Sequence, residues 1–183
     1  MNQYSSVFHL ISEISRKEGI SCILIGGYAV NYHKVTRQTG DVDFMITKED
    51  FERISAVLKE AGYEQASFQD NFAQFKSRQP SFMDIDFMFV DKNTYDKIFQ
   101  KAARLKVRGW EFFLPCLDHL IALKLHSLKC NYHVRWTKDL PDIISLIRAN
   151  KVDAQTAEFK ELCLKFGTEE IYQKIKEAAD GRP

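Results

Sequence analysis

The sequence predicts an α+β fold: a small mixed β-sheet with flanking helices, followed by a part that is helical throughout. Three observations carry this. Over the first hundred residues short apolar runs alternate with amphipathic stretches; Gly26-Gly27 separates one such run from a helical stretch; and beyond residue 115 apolar residues recur only at spacings of three and four. With 183 residues, 45% hydrophobic and 28% charged, and only 8 Gly and 4 Pro, the composition is that of a compact domain and excludes a disordered or collagenous chain.

Taken in order, Val7, Phe8, Leu10, Ile11 and Ile14 mark an amphipathic helix over 5–18 that stops at Gly19. Residues 22–25 read as a strand, 28–33 as a helix, and 42–47 as a second strand. A helix follows over 48–61, with Phe51, Ile54, Val57 and Leu58 as its buried stripe. Aromatic and polar residues alternate over 63–76 around Asp70-Asn71, which predicts a hairpin. A strand over 81–90, a helix over 92–104 and a brief strand over 110–114 come next, and Pro115 opens a helix through 129. Helices over 138–149, 154–166 and 168–179 complete the chain before a frayed end. The expected division is a core over 1–115 and a helical C-terminal subdomain over 116–183 packed on it.

No run approaches the roughly 18 apolar residues of a membrane span, and the N-terminus lacks the basic-then-apolar order of a signal peptide, so a cytoplasmic location is expected. Cys22, Cys116, Cys130 and Cys163 form no metal-binding spacing and are expected to be reduced and mostly buried. The net charge of +1 is unevenly spread: residues 1–100 carry 11 basic and 14 acidic side chains, whereas 101–151 carry 10 basic and 4 acidic. Such a stretch is either a solvated face or a contact for phosphates.

The chemistry concentrates in carboxylates. Asp41-Val42-Asp43 places two on one face of a strand with Val42 and Phe44 on the other, and Asp84-Ile85-Asp86-Phe87 repeats the arrangement. Paired charges within apolar strands need compensation, and oxygen-only donors suit magnesium or manganese. Gly26-Gly27 lets backbone N–H groups approach a phosphate closely. His119, His126 and His133 find no partner set for zinc, no nucleophile elbow is present, and Trp110, Phe112 and Phe113 are expected in the core.

Ile25-Gly26-Gly27, thirteen residues, then Asp41-Val42-Asp43-Phe44 and a later strand with a third Asp resemble the signature of the DNA polymerase β-like nucleotidyltransferases. Leu120-Ile-Ala-Leu-Lys124-Leu-His126, with Arg135 and Lys138-Asp139-Leu-Pro-Asp142, is similar to the AbiEii/AbiGii-type branch of toxin nucleotidyltransferases; together the resemblance covers about residues 20–148. It implies two magnesium or manganese ions on Asp41, Asp43 and a third carboxylate, Asp86, with Asp84 as its rival. It further implies that Gly26 and Gly27 cradle the β- and γ-phosphates of the NTP, and that Lys124 neutralises the triphosphate. Lys138 and Asp139 complete the pocket, and Arg135 with the other basic residues of 101–151 guides a polyanionic acceptor; Arg37, just ahead of the Asp pair, is either another phosphate contact or a solvated loop arginine. Asp86 is the expected proton acceptor. The expected reaction moves a nucleoside monophosphate from an NTP onto an acceptor hydroxyl, with tRNA the leading acceptor, in a toxin held by a cognate antitoxin. An aminoglycoside or lincosamide nucleotidyltransferase, or a non-catalytic nucleotide-binding protein of the same fold, are the alternatives.

Overall fold

The structure is a computed structural model and describes residues 4–180; of the frayed end expected at 180–183, Asp180 closes the last helix and 181–183 lie outside the described residues. By its internal contacts the chain forms two compact units, Met1–Ala29 with Gln38–Cys116, and Val30–Arg37 with Leu117–Pro183.

The first unit is built on a seven-stranded mixed sheet. Its strands are β1 (Ile23–Leu24), β2 (Asp41–Ile46), β3 (Tyr63–Phe68), β4 (Phe72–Ser77), β5 (Asp84–Phe89), β6 (Ala103–Val107) and β7 (Trp110–Leu114), in the order β3-β4-β5-β2-β1-β7-β6. β2 pairs with β5 in parallel and β1 with β7 in parallel, while the other neighbours are antiparallel. Helices α1 (Val7–Glu18), α3 (Lys48–Glu60) and α4 (Lys92–Gln100) belong to this unit; α2 (Gly26–Tyr32) crosses the boundary into the second.

Local chemistry sets the ends of these elements. The Ser6 hydroxyl accepts from the His9 N–H at 3.2 Å to cap α1, and Gly19 ends it at φ 65°, a left-handed conformation that glycine reaches without strain. Thr47 caps α3 by accepting from the Asp50 N–H, and Glu49 and Asp50 complement the helix dipole. Strand alternation puts Val42, Phe44, Ile85, Phe87 and Phe75 in the core at or near zero exposure. Phe51 of α3 closes that core, its ring centroid 4.7 Å from Phe89 and 5.4 Å from Phe87.

Two segments depart from the sequence reading, and in one of them the helix expected over 138–149 begins at Tyr132. The helix expected through residue 104 stops at Gln100, and β6 takes 103–107. Arg108 and Gly109, at φ 51° and 94°, make the two-residue turn that pairs Val107 with Trp110. Two adjacent left-handed residues give the twist a tight hairpin requires. Phe112 is in the core as expected, and Trp110 stacks on His9 with centroids 4.4 Å apart.

The second unit holds α5 (Leu117–Cys130), α6 (Tyr132–Asn150), α7 (Ala157–Phe166) and α8 (Glu169–Asp180). Leu125, Leu128, Ile143, Leu146, Cys163, Ile171 and Ile175 are fully buried in it. No helix among the described residues is long and apolar enough to cross a membrane. All four cysteines are free; Cys22 and Cys163 are buried, while Cys116 is half-buried and Cys130 exposed.

Candidate active site

The parallel pairing of β2 and β5 sets Asp41 opposite Asp84 and Asp43 opposite Asp86. Four carboxylates therefore start from one patch of one sheet face, and local hydrogen bonds divide them. Asp84 accepts from the Ser77 backbone N–H at 3.0 Å, closing the β4–β5 connection. Asp41, Asp43 and Asp86 converge instead, each offering one oxygen within 4.8 Å of the other two, and all three are half-buried. Among the described residues this is the one such group of His, Cys, Asp or Glu side chains.

Carboxylates 4.8 Å apart repel by about 1 kcal/mol in the dielectric of water and roughly 3–4 kcal/mol at an effective dielectric of 20. Neighbouring groups hold them together. The Thr39 hydroxyl lies 3.0 Å from Asp41 Oδ1, and the Gln74 amide donates to Asp86 Oδ1 at 3.0 Å. Gly26 sits directly behind Asp43: a Cβ there would fall inside the Asp43 carboxylate, 2.8 Å from its Cβ, and Gly26 holds φ 59°. A Cβ at Gly27 would lie 2.6 Å from both Cβ and Oγ1 of Thr39. The two glycines thus make room for the carboxylates and their brace, a local reason for their presence in addition to the phosphate approach that the sequence suggests. Tyr28 beside them is packing: its ring meets Phe8 edge-on at 5.1 Å, and burial raises its hydroxyl pKa.

The charged residues of the second unit form a separate cluster. Lys124 of α5 is 7% exposed, its Nζ donating to Asp139 Oδ1 at 2.9 Å and to Asp142 Oδ2 at 2.6 Å. Arg37 Nε lies 3.1 Å from Asp142 Oδ1, and Arg135 Nε 3.9 Å from Asp139 Oδ2. Lys138 is exposed and, with Thr36, Arg37, Thr137, Asp142 and Ser145, lines a cleft of about 360 Å³ within this unit. Of the three histidines, His126 reaches Cys130 on the same helix, its Nε2 3.6 Å from Sγ.

Thr39, Gln74 and Asp142 carry no role in the sequence reading, yet each holds a site residue. Two had a legible signal. Thr39 stands two residues before Asp41, and Asp142 follows Asp139 by three on a helix, so both acids face the same neighbour. Gln74 had none, because its partner is fixed only by strand register.

A mixed sheet that presents two carboxylates from one strand and a third from its parallel neighbour, with a glycine pair behind them, defines the class: this is the nucleotidyltransferase fold. Solved structures share it. ANT(2")-Ia, crystallised with adenylyl-2"-tobramycin, superposes with a TM-score of 0.64 at 15% identity over 87% of this chain and 94% of its own. The lincosamide antibiotic adenylyltransferase LnuA, lincomycin-bound, gives 0.53 at 12% over 74% and 91%. An antigenic nucleotidyltransferase-like protein from Paracoccidioides brasiliensis gives 0.52 at 19% over 92% and 89%. The chain belongs to the family described as "uncharacterised nucleotidyltransferase", whose model matches residues 3–179, and it is a nucleotidyltransferase. A comparison with curated proteins finds no match.

Proposed function

We propose that this enzyme transfers a nucleoside monophosphate from an NTP to an acceptor hydroxyl with magnesium or manganese, and that Asp41, Asp43 and Asp86 hold two such ions. The observation that carries the reading is the convergence of these three carboxylates within 4.8 Å. The donor set fits: all ligands are oxygens, the group is half-buried, and its mutual repulsion asks for a cation. Bound there, divalent ions supply Lewis-acid polarisation of the α-phosphoryl group and of the leaving pyrophosphate.

The chain's own part follows from geometry. The acceptor oxygen bonds to the α-phosphorus as the bond from that phosphorus to the bridging oxygen breaks, and pyrophosphate leaves. The Asp86 carboxylate takes the hydroxyl proton. Asp84 is set aside as the third ligand because the converging group holds Asp86 in its place, while Asp84 turns to the Ser77 N–H. Gly26 and Gly27 take the β- and γ-phosphates of the NTP; in the second unit Lys124, with Arg37 and Lys138, supplies cationic charge for a triphosphate, and Asp139 holds Lys124 through their 2.9 Å ion pair. Lys124 donates to Asp139 and Asp142 and keeps a third N–H for a phosphate oxygen.

For the acceptor, an RNA such as tRNA is the reading that the charge distribution supports. Lys101, Arg104, Lys106 and Arg108 are exposed on or beside the edge strand β6, and Arg135 is half-exposed on α6. In that reading the protein is a toxin that an antitoxin restrains. The antibiotic adenylyltransferases of the same fold, at 12–15% identity, favour no acceptor by their likeness.

The test incubates the protein with each α-labelled NTP, magnesium, and either total RNA or a panel of aminoglycosides and lincosamides. Asp41→Asn and Asp43→Asn serve as controls. Label in a tRNA-sized band that both variants abolish, by about 1000-fold or more, supports the reading. Label on an antibiotic alone moves the acceptor to a small molecule. NTP binding without any turnover makes the chain a nucleotide-binding protein.

A further inference from the structure

We infer that Gln74, a residue of β4 outside both glycine and aspartate motifs, is the positioning residue that holds Asp86 in the metal-binding orientation. The inference rests on the metal reading proposed above.

Register brings Gln74 there. It pairs directly with Asp86, which pairs in turn with Asp43, so Gln74, Asp86 and Asp43 form one cross-strand row on the polar face of the sheet. Gln74 is half-buried, between the core residues Ala73 and Phe75 that point the other way. Its amide nitrogen lies 3.0 Å from Asp86 Oδ1. An ionised carboxylate only accepts, so the amide must present its N–H₂ end to it.

The backbone around Gln74 carries a second mark. β3 opposes it through an irregular register: Gln65 pairs with Phe75 and Ser67 with Gln74, leaving Ala66 as an extra residue between them. A bulge of this kind raises the local twist and re-aims the side chains beside it. Here it falls at the step of β4 that carries the Asp86 brace.

The consequence is orientation without charge. A lysine in place of Gln74 would gather the carboxylates equally well, yet it would compete with a cation. A neutral amide offsets part of the repulsion, and it fixes the carboxylate plane by holding one oxygen toward β4. An ion then meets Asp86 already turned, and does not bear the cost of ordering it.

The experiment measures Mn²⁺ binding to the apoprotein by the paramagnetic resonance signal of free Mn²⁺, with no NTP, beside thermal melting. Asp86→Asn serves as the loss-of-binding control. Gln74→Leu keeps the size of the side chain and removes the donor; its Mn²⁺ affinity is expected to fall about tenfold while its melting temperature stays within a few degrees. Should Gln74→Leu not fold, Gln74→Ala takes its place with the same expectation. Unchanged affinity in the folded variant overturns the inference and leaves the metal reading standing. Absence of Mn²⁺ binding by the unsubstituted chain overturns the metal reading and the inference with it.

Discussion

Asp43 and Gly26 form a single unit of structure. Because the glycine holds φ 59° and its missing Cβ is the space that the carboxylate fills, neither residue is replaceable alone. Gly26→Ala is expected to cost about 1–3 kcal/mol of stability, since alanine must adopt a left-handed backbone or move the turn. It should also lower kcat/KM by about 100-fold or more, because a carboxylate displaced by even 1 Å misplaces the reacting groups. Melting and steady-state assays on the same preparation check both, and activity within threefold of the unsubstituted enzyme would show that Asp43 tolerates displacement. Lys124 shows where reading residues one at a time falls short. The sequence presents it as a lysine on a helix, and the resemblance gives it to a triphosphate. The fold surrounds it with Asp139 and Asp142, acids 15 and 18 residues further on, and a buried ammonium between two carboxylates is first of all a compensated charge.

Pro141 is the element-scale anomaly, since it sits at the tenth position of the 19-residue α6, between the two acids that grip Lys124. A proline there has no N–H for the Thr137 carbonyl and crowds it, whereas it also restricts the unfolded chain. Pro141 is exposed, so Pro141→Ala opens no core cavity. A gain of about 1–2 kcal/mol in urea denaturation is expected. A loss would mean that the backbone Pro141 fixes is what brings Asp142 to Lys124. Elements were legible where periodicity was strong and a cap stood at the end: α1 between Ser6 and Gly19, α3 after Thr47, and the hairpin that turns at residues 69–72, where Gln69 and Phe72 exchange backbone hydrogen bonds. β6 was hidden because Lys101, Ala102 and Ala103 are good helix formers that extend the pattern of α4. What makes 103–107 a strand is the pairing offered by β7, together with the Arg108-Gly109 turn. The same limit governed the site. Asp41 and Asp43 declare themselves by their spacing, whereas the choice between Asp84 and Asp86 depends on β4, where one meets a backbone N–H and the other a side-chain amide.

At the scale of the whole molecule, the near-neutral balance of charge conceals groups that the fold keeps uncharged in both of its units. Burial raises the Cys22 thiol in the first unit from 9.0 to about 12, opposed in part by a hydrogen bond from Ser15 and aided by a smaller effect of the Asp50 charge. Burial alone raises Cys163 in the second unit to about 12. Tyr63 and Tyr95 move in the same direction, chiefly by burial, with Asp84 and Cys22 as the respective neighbouring charges. Each of these groups is neutral when protonated, so above the unfolded values, near pH 9 for the thiols and pH 10 for the tyrosines, the unfolded chain releases protons that the folded chain retains. The unfolded state then binds fewer protons than the native one, and stability falls with rising pH throughout the window from about 9 to about 12. Two thiols contribute up to about 2 kcal/mol of loss between pH 9 and pH 10, while below pH 8 they contribute no slope. Urea midpoints at pH 7.5, 9 and 10 should therefore decline slightly at first and then more steeply, and Cys22→Ala/Cys163→Ala should flatten the decline relative to its own value at pH 7.5. Equal steepness in that variant would assign the alkaline loss to the tyrosines, and no decline at all would mean that the thiols are as accessible to ionisation in the folded chain as in the unfolded one.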